Sequence, residues 1–309
     1  MRILLAGASG FLGPHLARHL RARGDRVRRL VRRPSREPDE LTWSPQRREL
    51  PADALTGIDA VINLAGAGIG ERRWNEQYRT LIRASRVDST ATLAAAIAAR
   101  PGPPPALLNA SAIGYYGDTG DTPVDEDSPP GEGFMARVCQ AWEAATGPAA
   151  AAGARVALLR SGLPLHPDGG LLKPLLLPTR LGLGGRLGDG RQYIPWISLP
   201  DWLAAVTWLL DGRETGAADP TRVKPVSGPV NLVGPDPVTN ADLVRALARG
   251  LHRPAVLPVP GFALRVLVGG LADEEILVSH RVLPTVLIKS GFAFRHPTVD
   301  SALQVALAR

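Results

Sequence analysis

The 309-residue chain contains one cysteine, Cys139. A single thiol closes no intramolecular disulfide and supports no cysteine-rich zinc site. A reducing, cytoplasmic setting is therefore expected. Lysine is scarce too. Only Lys173, Lys224 and Lys289 occur, so 33 of the 36 basic residues are arginine. The net charge is +7, but the arginines are scattered, and no basic run is interleaved with aromatic residues. No nucleic-acid partner is expected from that pattern. Long apolar runs are also missing. The stretch 254–272 is interrupted by Pro258, Pro260 and Arg265, and nothing reaches the roughly 20 unbroken apolar residues of a membrane span. The opening "MRILLAGASG" lacks a small-residue cleavage site and reads straight into a strand. Neither a leader nor a membrane attachment is expected.

The composition is ordinary for a globular protein, 45% hydrophobic and 21% charged. At roughly 150 residues per domain, the length suits about two domains. Through the first half, short apolar runs at 2–6, 26–31, 60–64, 106–110 and 155–160 alternate with helical stretches at 14–23, 80–100 and 134–152. Apolar strands separated by helices predict a parallel sheet buried on both faces, the doubly wound α/β arrangement. After Leu165 the texture changes. Residues 169–190 are glycine-rich, 200–210 and 239–251 read as helices, 230–233 reads as one more buried strand, and the tail beyond 256 is mixed. The proline-rich stretches 101–105 and 123–130 are surface loops in this reading, because the strand pattern continues across them.

The sharpest local signal is "GASGFLG", where Gly7, Gly10 and Gly13 stand between an apolar strand and a helix. Glycine at 7 allows a tight turn, at 10 the close approach of a pyrophosphate, and at 13 the packing of helix on strand. The helix N-terminus then offers free N–H groups and its positive dipole end to phosphate. Ser9, Phe11 and Leu12 are counted with the glycines as cofactor contacts. The second strand chooses between dinucleotides. An acid about 20 residues beyond the glycines would accept a ribose 2′-hydroxyl. Counting 18 to 20 from Gly13 gives Val31, Arg32 and Arg33 instead. Two arginines there suit a 2′-phosphate and select NADP(H) over NAD(H); a solvated basic turn is the alternative. "NLAG", from Asn63 to Gly66, ends the next sheet strand. Leu64, Ala65 and Gly66 would let the backbone pass beside the adenosine half of a dinucleotide. A plain buried strand end fits equally well.

Further motifs are "GIGERRWN" (68–75), "SAIGYYGD" (111–118), "DGG" (168–170), "RLGLGGRLGDGRQYIPWI" (180–197), "YIPWISLPDW" (193–202) and "GFAFR" (291–295). Together with the glycine loop and "NLAG", they resemble the extended short-chain dehydrogenase/reductases. Within these, the chain is most similar to the atypical branch of NAD-dependent epimerase family proteins, the nucleoside-diphosphate-sugar epimerase branch. The similarity runs over nearly the whole chain. It implies a Rossmann-type doubly wound sheet binding NADP over residues 1–165, which also receives a strand near 229–234. It implies a smaller C-terminal substrate lobe made mainly of 166–309. It further implies that Arg86, on the long helix, faces the cofactor, a surface salt bridge being the alternative; Arg72, Arg73 and Trp74 read as shaping a loop over the site or, equally, as a hydrophobic anchor.

One feature of the resembled family is missing. Extended members carry a Tyr-x-x-x-Lys pair on the helix after the proline loop, with the tyrosine as general acid/base. Here that helix reads "GEGFMARVCQAWEAA" (131–145). Met135 and Cys139 fall at the two places, or Phe134 and Val138 one residue over. The family's serine or threonine falls on Ala112, beside Ser111. Interconverting a ketone and an alcohol needs a proton donor set against the oxygen. Ser111, Tyr116 in the "YG" turn and Tyr193 in "GDGRQYIPW" are the candidates to replace it. Arg180, Arg186 and Arg191 would suit an anionic substrate. His15 and His19 have i, i+4 spacing but no third ligand, so no metal is expected. Cys139 reads as a small buried hydrophobe. The expected function is NADP(H)-dependent oxidoreductase or isomerase chemistry on a small polar or sugar-nucleotide-like carbonyl compound, in a monomer or homodimer. The alternative is a non-catalytic NADP(H)-binding sensor or scaffold.

Overall fold

The computed structural model describes residues 1–212 and 225–308; Lys224 lies outside the described residues. In chain order the strands are β1 (Arg2–Ala6), β2 (Arg26–Val31), β3 (Glu40–Thr42), β4 (Ala60–Asn63), β5 (Ala106–Ala112), β6 (Val156–Ser161), β7 (Leu163–Leu165), β8 (Tyr193–Ile194), β9 (Trp196–Ser198), β10 (Gly228–Leu232) and β11 (Val238–Thr239). Seven of them form one wholly parallel sheet in the order β10-β6-β5-β4-β1-β2-β3. The helices are α1 (Leu12–Ala22), α2 (Glu76–Ala99), α3 (Phe134–Ala144), α4 (Gly147–Ala151), α5 (Leu172–Arg180), α6 (Leu199–Asp211), α7 (Asn240–Gly250), α8 (Gly261–Val268), α9 (Thr285–Lys289) and α10 (Val299–Leu307). None is long and apolar enough to cross a membrane.

The side chains of β1 explain the layering. Ile3 and Leu5 pack with residues of α1 and α6, whereas Leu4 and Ala6 pack with residues of α2 and α4. Successive strand residues point to opposite faces. A strand covered on both sides must therefore be apolar at every position, as "RILLA" is beyond its first residue. The fold is a Rossmann-type α/β protein. Its layers do not divide near residue 165. α6 sends Trp202, Val206 and Leu209 into the core of the main sheet, α9 adds Leu287, and β10 pairs with β6 at the sheet edge. The smaller lobe keeps a core of its own, including Leu172, Leu176, Trp196, Leu247 and Leu303 on α5, β9, α7 and α10.

Some boundaries shift for identifiable reasons. α2 starts at Glu76 because the Asn75 side chain accepts the Tyr78 N–H at 2.8 Å and caps the helix there. The helical stretch 134–152 breaks into α3 and α4 at Gly147 and Pro148, since proline cannot donate to the previous turn.

β1 pairs with β2 on one side and with β4 on the other. The chain builds outward from β1 to β3 and then returns to build the other half. The loops at the carboxyl ends of β1 and β4 flank this reversal of strand order, where doubly wound sheets bind their ligands.

Candidate functional site

The two loops at the reversal touch. Gly7 has φ +81°, and a Cβ on it would lie 2.5 Å from the Leu64 carbonyl carbon. A Cβ on Gly13 would lie 2.3 Å from the Gly7 carbonyl oxygen. Gly10 is different: its Cβ would meet nothing nearer than the Gly7 carbonyl oxygen, at 3.6 Å. Glycine at 10 keeps a space open and relieves no packing. α1 starts beside that space with no side-chain cap and no acid in its first turn. Its leading N–H groups are therefore uncapped. Ser9 and Gly10 are exposed. The Phe11 ring turns to Gly169, where a Cβ would stand 2.2 Å from its Cδ2, and Leu12 packs on the main core.

β2 leaves the sheet beside this loop, with Ala6 in register with Leu30. The two arginines that follow behave differently. Arg33 forks onto Glu40 with N···O distances of 2.8 and 2.7 Å. These bonds, with the Arg36 N–H, draw the Glu40 carboxyl down to about 2. Arg33 thereby shapes the turn between β2 and β3. Arg32 is exposed and has no hydrogen-bond or ion-pair partner among the described residues. It borders a cavity of about 360 Å³ that Thr42, Trp43, Pro45 and Leu50 also line.

At the end of β4, Asn63 shapes the "NLAG" turn. Its Oδ1 accepts the Ala65 N–H at 3.1 Å, and its Nδ2 donates to Thr90 Oγ1 and Asn109 Oδ1. Leu64 and Ala65 are half-buried, and Gly66 is exposed. Arg86 on α2 lies under Gly66, whose Cβ would come within 3.2 Å of it. Its Nη1 donates to the carbonyl oxygens of Ala67 and Ile82, both at 3.0 Å, and its guanidinium lies 5.1 Å from the Trp142 ring centroid. Its Nε is buried and has no partner. Burial loosens this guanidinium's hold on its proton. A buried cation with an unused donor, under a backbone turn at the strand-order reversal, suits an anionic ligand.

Ser111 and Tyr116 are only 3% and 4% exposed. Ser111 Oγ donates to Glu143 Oε1 at 2.6 Å, and Arg160 forks onto Glu143 at 2.8 and 2.9 Å. Arg160 Nη1 donates to the Tyr116 hydroxyl at 2.9 Å, which donates to Asn231 Oδ1 at 2.8 Å. Burial pushes the Tyr116 phenol up to about 12. Both hydroxyls are engaged inside this network, an arrangement that suits holding the end of β5 and not passing protons. Tyr193 is half-buried, with the Arg281 guanidinium 5.0 Å from its ring centroid. Its hydroxyl makes no hydrogen bond among the described residues. Met135 and Cys139 are buried, and burial pushes the Cys139 thiol up to about 12. α3 thus offers no proton donor of its own at either family place. Trp74 anchors the 68–75 loop by donating from Nε1 to the Ile69 carbonyl at 2.7 Å. Among the described residues no cluster of three or more His, Cys, Asp or Glu could hold a metal ion.

The sequence reading missed a short π-helical turn, Ala272–Ile276, which docks on α3. Glu274 Oε2 accepts the N–H groups of Phe134 and Met135, at 2.9 and 3.4 Å, capping a helix that starts after Gly133. Gln192 Nε2 donates to the Ile276 carbonyl at 3.1 Å. Between these two anchors, Glu275 Oε1 reaches to 3.1 Å from where a Cβ on Gly114 would stand. That oxygen is shielded from solvent and has no hydrogen-bond partner among the described residues. "LADEEI" carries no periodicity and no motif, so nothing in the sequence marked it.

The sheet, the glycine loop and the uncapped α1 define a doubly wound α/β protein of the nucleotide-binding class. More closely, the chain belongs to the NAD dependent epimerase/dehydratase family, whose profile matches residues 3–221. A domain of unknown function, DUF1731, matches residues 259–306, the stretch that contains Glu274 and Glu275. The chain is 43% identical over 307 residues to an epimerase family protein of Mycobacterium bovis, covering 99% of this chain and 98% of that protein. It is similar to the crystal structure of the human epimerase family protein SDR39U1 with NADPH, at TM-score 0.85 and 32% identity over 100% of both chains. The UDP-N-acetylglucosamine 4-epimerase of Bacillus cereus shares the fold at TM-score 0.74 and 16% identity, over 99% of this chain and 98% of that one.

Proposed function

We propose that this protein binds NADP(H) and acts as an oxidoreductase or isomerase on a small polar or sugar-nucleotide-like carbonyl compound. The observation that carries the cofactor assignment is Arg32, exposed and unpaired among the described residues just past the end of β2, the strand that pairs with β1. The crystal structure of human SDR39U1 with NADPH supports it. Bound NADP(H) supplies or accepts a hydride at its nicotinamide. The chain's own residues bind and orient. The N–H groups around Gly10 and at the start of α1 hold the pyrophosphate, with Gly7 and Gly13 letting loop and helix lie close. Arg32 meets the 2′-phosphate, Leu64, Ala65 and Gly66 give a close backbone surface, and Arg86 adds positive charge below it. Ser111 and Tyr116, through Glu143 and Arg160, keep the end of β5 in place. Tyr193 lines the substrate side, and the exposed Arg180, Arg186 and Arg191 favour an anionic compound.

Two measurements test this reading. Arg32→Ala is expected to weaken NADPH binding about 10- to 100-fold, the worth of a hydrogen bond to a charged group. NADH binding should stay within about twofold. Equal losses for both, by calorimetric titration, would remove the 2′-phosphate assignment. For the reaction, NADPH deuterated at C4 is incubated with the protein and a cell metabolite extract, and the label is followed by mass spectrometry. Deuterium in a metabolite is the expected result and identifies the substrate class. Tight NADPH binding without transfer would favour a sensor or scaffold.

A further inference from the structure

We propose that Glu275 is the proton donor and acceptor of the reaction, reaching from the C-terminal segment into the place left by the missing tyrosine. The inference rests on the oxidoreductase reading above. Its ground is a convergence of three elements. Met135 on α3 falls at the tyrosine's place in one of the two registers the family resemblance allows, and the turn Ile113–Tyr116 follows Ala112, which falls at the serine's. Glu275 Oε1 and Met135 Cβ both approach Gly114 in that turn. The point where a Cβ on Gly114 would stand is 3.1 Å from Glu275 Oε1 and 3.3 Å from Met135 Cβ. A Cβ at 114 would crowd both, and glycine there leaves the carboxyl this room. The turn is fixed on both sides of Glu275, by Glu274 on the start of α3 and by Gln192 on the Ile276 carbonyl. Gly133, at φ +102°, admits Glu274 to 3.0 Å from where its own Cβ would be.

A carboxyl placed for structure alone would be bonded. Glu143 is held by Ser111 and Arg160, and Glu126 accepts the N–H groups of Asn231 and Val286. Glu275 is half-buried as a residue, but its Oε1 is shielded from water and makes no hydrogen bond among the described residues. Leaving a buried polar atom unbonded is costly and needs a functional account. Burial pushes this carboxyl up to about 7, the like charge of Glu274 adds to the rise, and Arg86 opposes it. The ionisable groups facing it are Glu274 on its own turn, Arg86 from α2 and Cys139 from α3, whose thiol stays neutral. Gly114 brings none. An acid that titrates near neutrality can both give and take a proton at working pH. In reduction, the carboxyl O–H bond breaks and its proton passes to the substrate's carbonyl oxygen. The carboxylate left behind regains a proton from water through its other, part-exposed oxygen. In oxidation, the carboxylate takes the proton of the substrate hydroxyl. The electron pair travels with the hydride of the NADP(H) reaction proposed above.

Two readouts on Glu275→Gln test the proposal, one of which needs no substrate. The folded carboxyl holds its proton more tightly than the unfolded one, whose ordinary value is 4.5. As pH rises between these values the unfolded chain releases its proton first, so this group's contribution to stability falls and then levels off. The wild-type melting temperature should therefore fall relative to that of Glu275→Gln from about pH 5 to about pH 8. Parallel curves overturn the proposal. In the label-transfer assay, Glu275→Gln should keep NADPH affinity within about threefold and lose transfer by about 10²- to 10⁴-fold. Transfer at the wild-type rate in Glu275→Gln overturns the role of Glu275 and leaves the oxidoreductase reading intact. A wild-type protein that binds NADPH and transfers no label overturns both.

Discussion

Gly13→Ala is expected to destabilise the protein by about 1–2 kcal/mol and to weaken NADPH binding more than about 100-fold. Two effects oppose each other at this position. Gly13 lies inside α1, where alanine is favoured over glycine by about 1 kcal/mol. The added Cβ, however, would lie 2.3 Å from the Gly7 carbonyl oxygen and 2.6 Å from Ala8 Cα. Both are backbone atoms of a turn already held against Leu64, so neither can rotate away. Overpacking of this kind costs about 1–3 kcal/mol and sometimes more. Relief requires α1 to lift from β1, and α1 carries Leu16 and Leu20 into the main core. The clash therefore outweighs the propensity. The same lift moves the N–H groups that hold the pyrophosphate. Gly10→Ala is the matched control. Its Cβ meets only the Gly7 oxygen at an ordinary 3.6 Å, so stability should stay within about 0.5 kcal/mol. NADPH affinity should still fall about tenfold or more, because the methyl enters the space kept for phosphate. Urea unfolding and NADPH titration on the two variants check the pair. Equal stability losses would erase the distinction between a glycine needed for packing and one needed for a ligand.

The parts of this structure legible in the sequence are those governed by local pattern. Apart from Arg2 at the start of β1 and Asn63 at the end of β4, these strands are apolar because helices cover both faces of the sheet, and the glycine spacing follows from a turn and a close helix. β3 left no such trace. It is a three-residue edge strand whose first residue, Glu40, is buried with Arg33, Arg36 and Arg29 paired to it. Arg32 and Arg33 look equivalent as adjacent letters. A single partner seven residues on engages one and leaves the other free. Ser111 and Tyr116 have the right chemistry for proton transfer, but residue type does not say where a hydroxyl points. Their partners arrive from other elements, Asn231 from 115 residues beyond Tyr116. Glu275 shows the same limit from the other side. Its surroundings are made by docking a tail without periodicity onto α3, and only the tertiary contact reveals it.

Glu143 is where the second large effect is expected. Glu143→Ala should cost about 3–5 kcal/mol, the usual penalty for breaking a buried ion pair from one side. The Arg160 side chain is only 4% exposed and that of Glu143 10%. Burial by itself would drive the proton off Arg160, and the Glu143 hydrogen bonds outweigh it and hold the charge in place. Without the carboxylate, Arg160 keeps the Tyr116 hydroxyl and the faces of the Tyr115 and Tyr116 rings. Those contacts do not neutralise a desolvated cation. If charge imbalance is the cause, removing both charges should restore much of the loss. Glu143→Leu with Arg160→Met is expected to recover at least about half of it, since apolar replacements of a buried pair are often near neutral. Denaturant unfolding of Glu143→Leu, Arg160→Met and the variant carrying both gives the coupling energy. Tyr116→Phe completes the cycle. It leaves Arg160 and Asn231 short of a partner, and so should cost about 1–3 kcal/mol. Label transfer should drop by no more than about tenfold, far less than in Glu275→Gln. A larger drop would return Tyr116 to the role of acid and move Glu143 and Arg160 from the support of β5 into the chemistry itself.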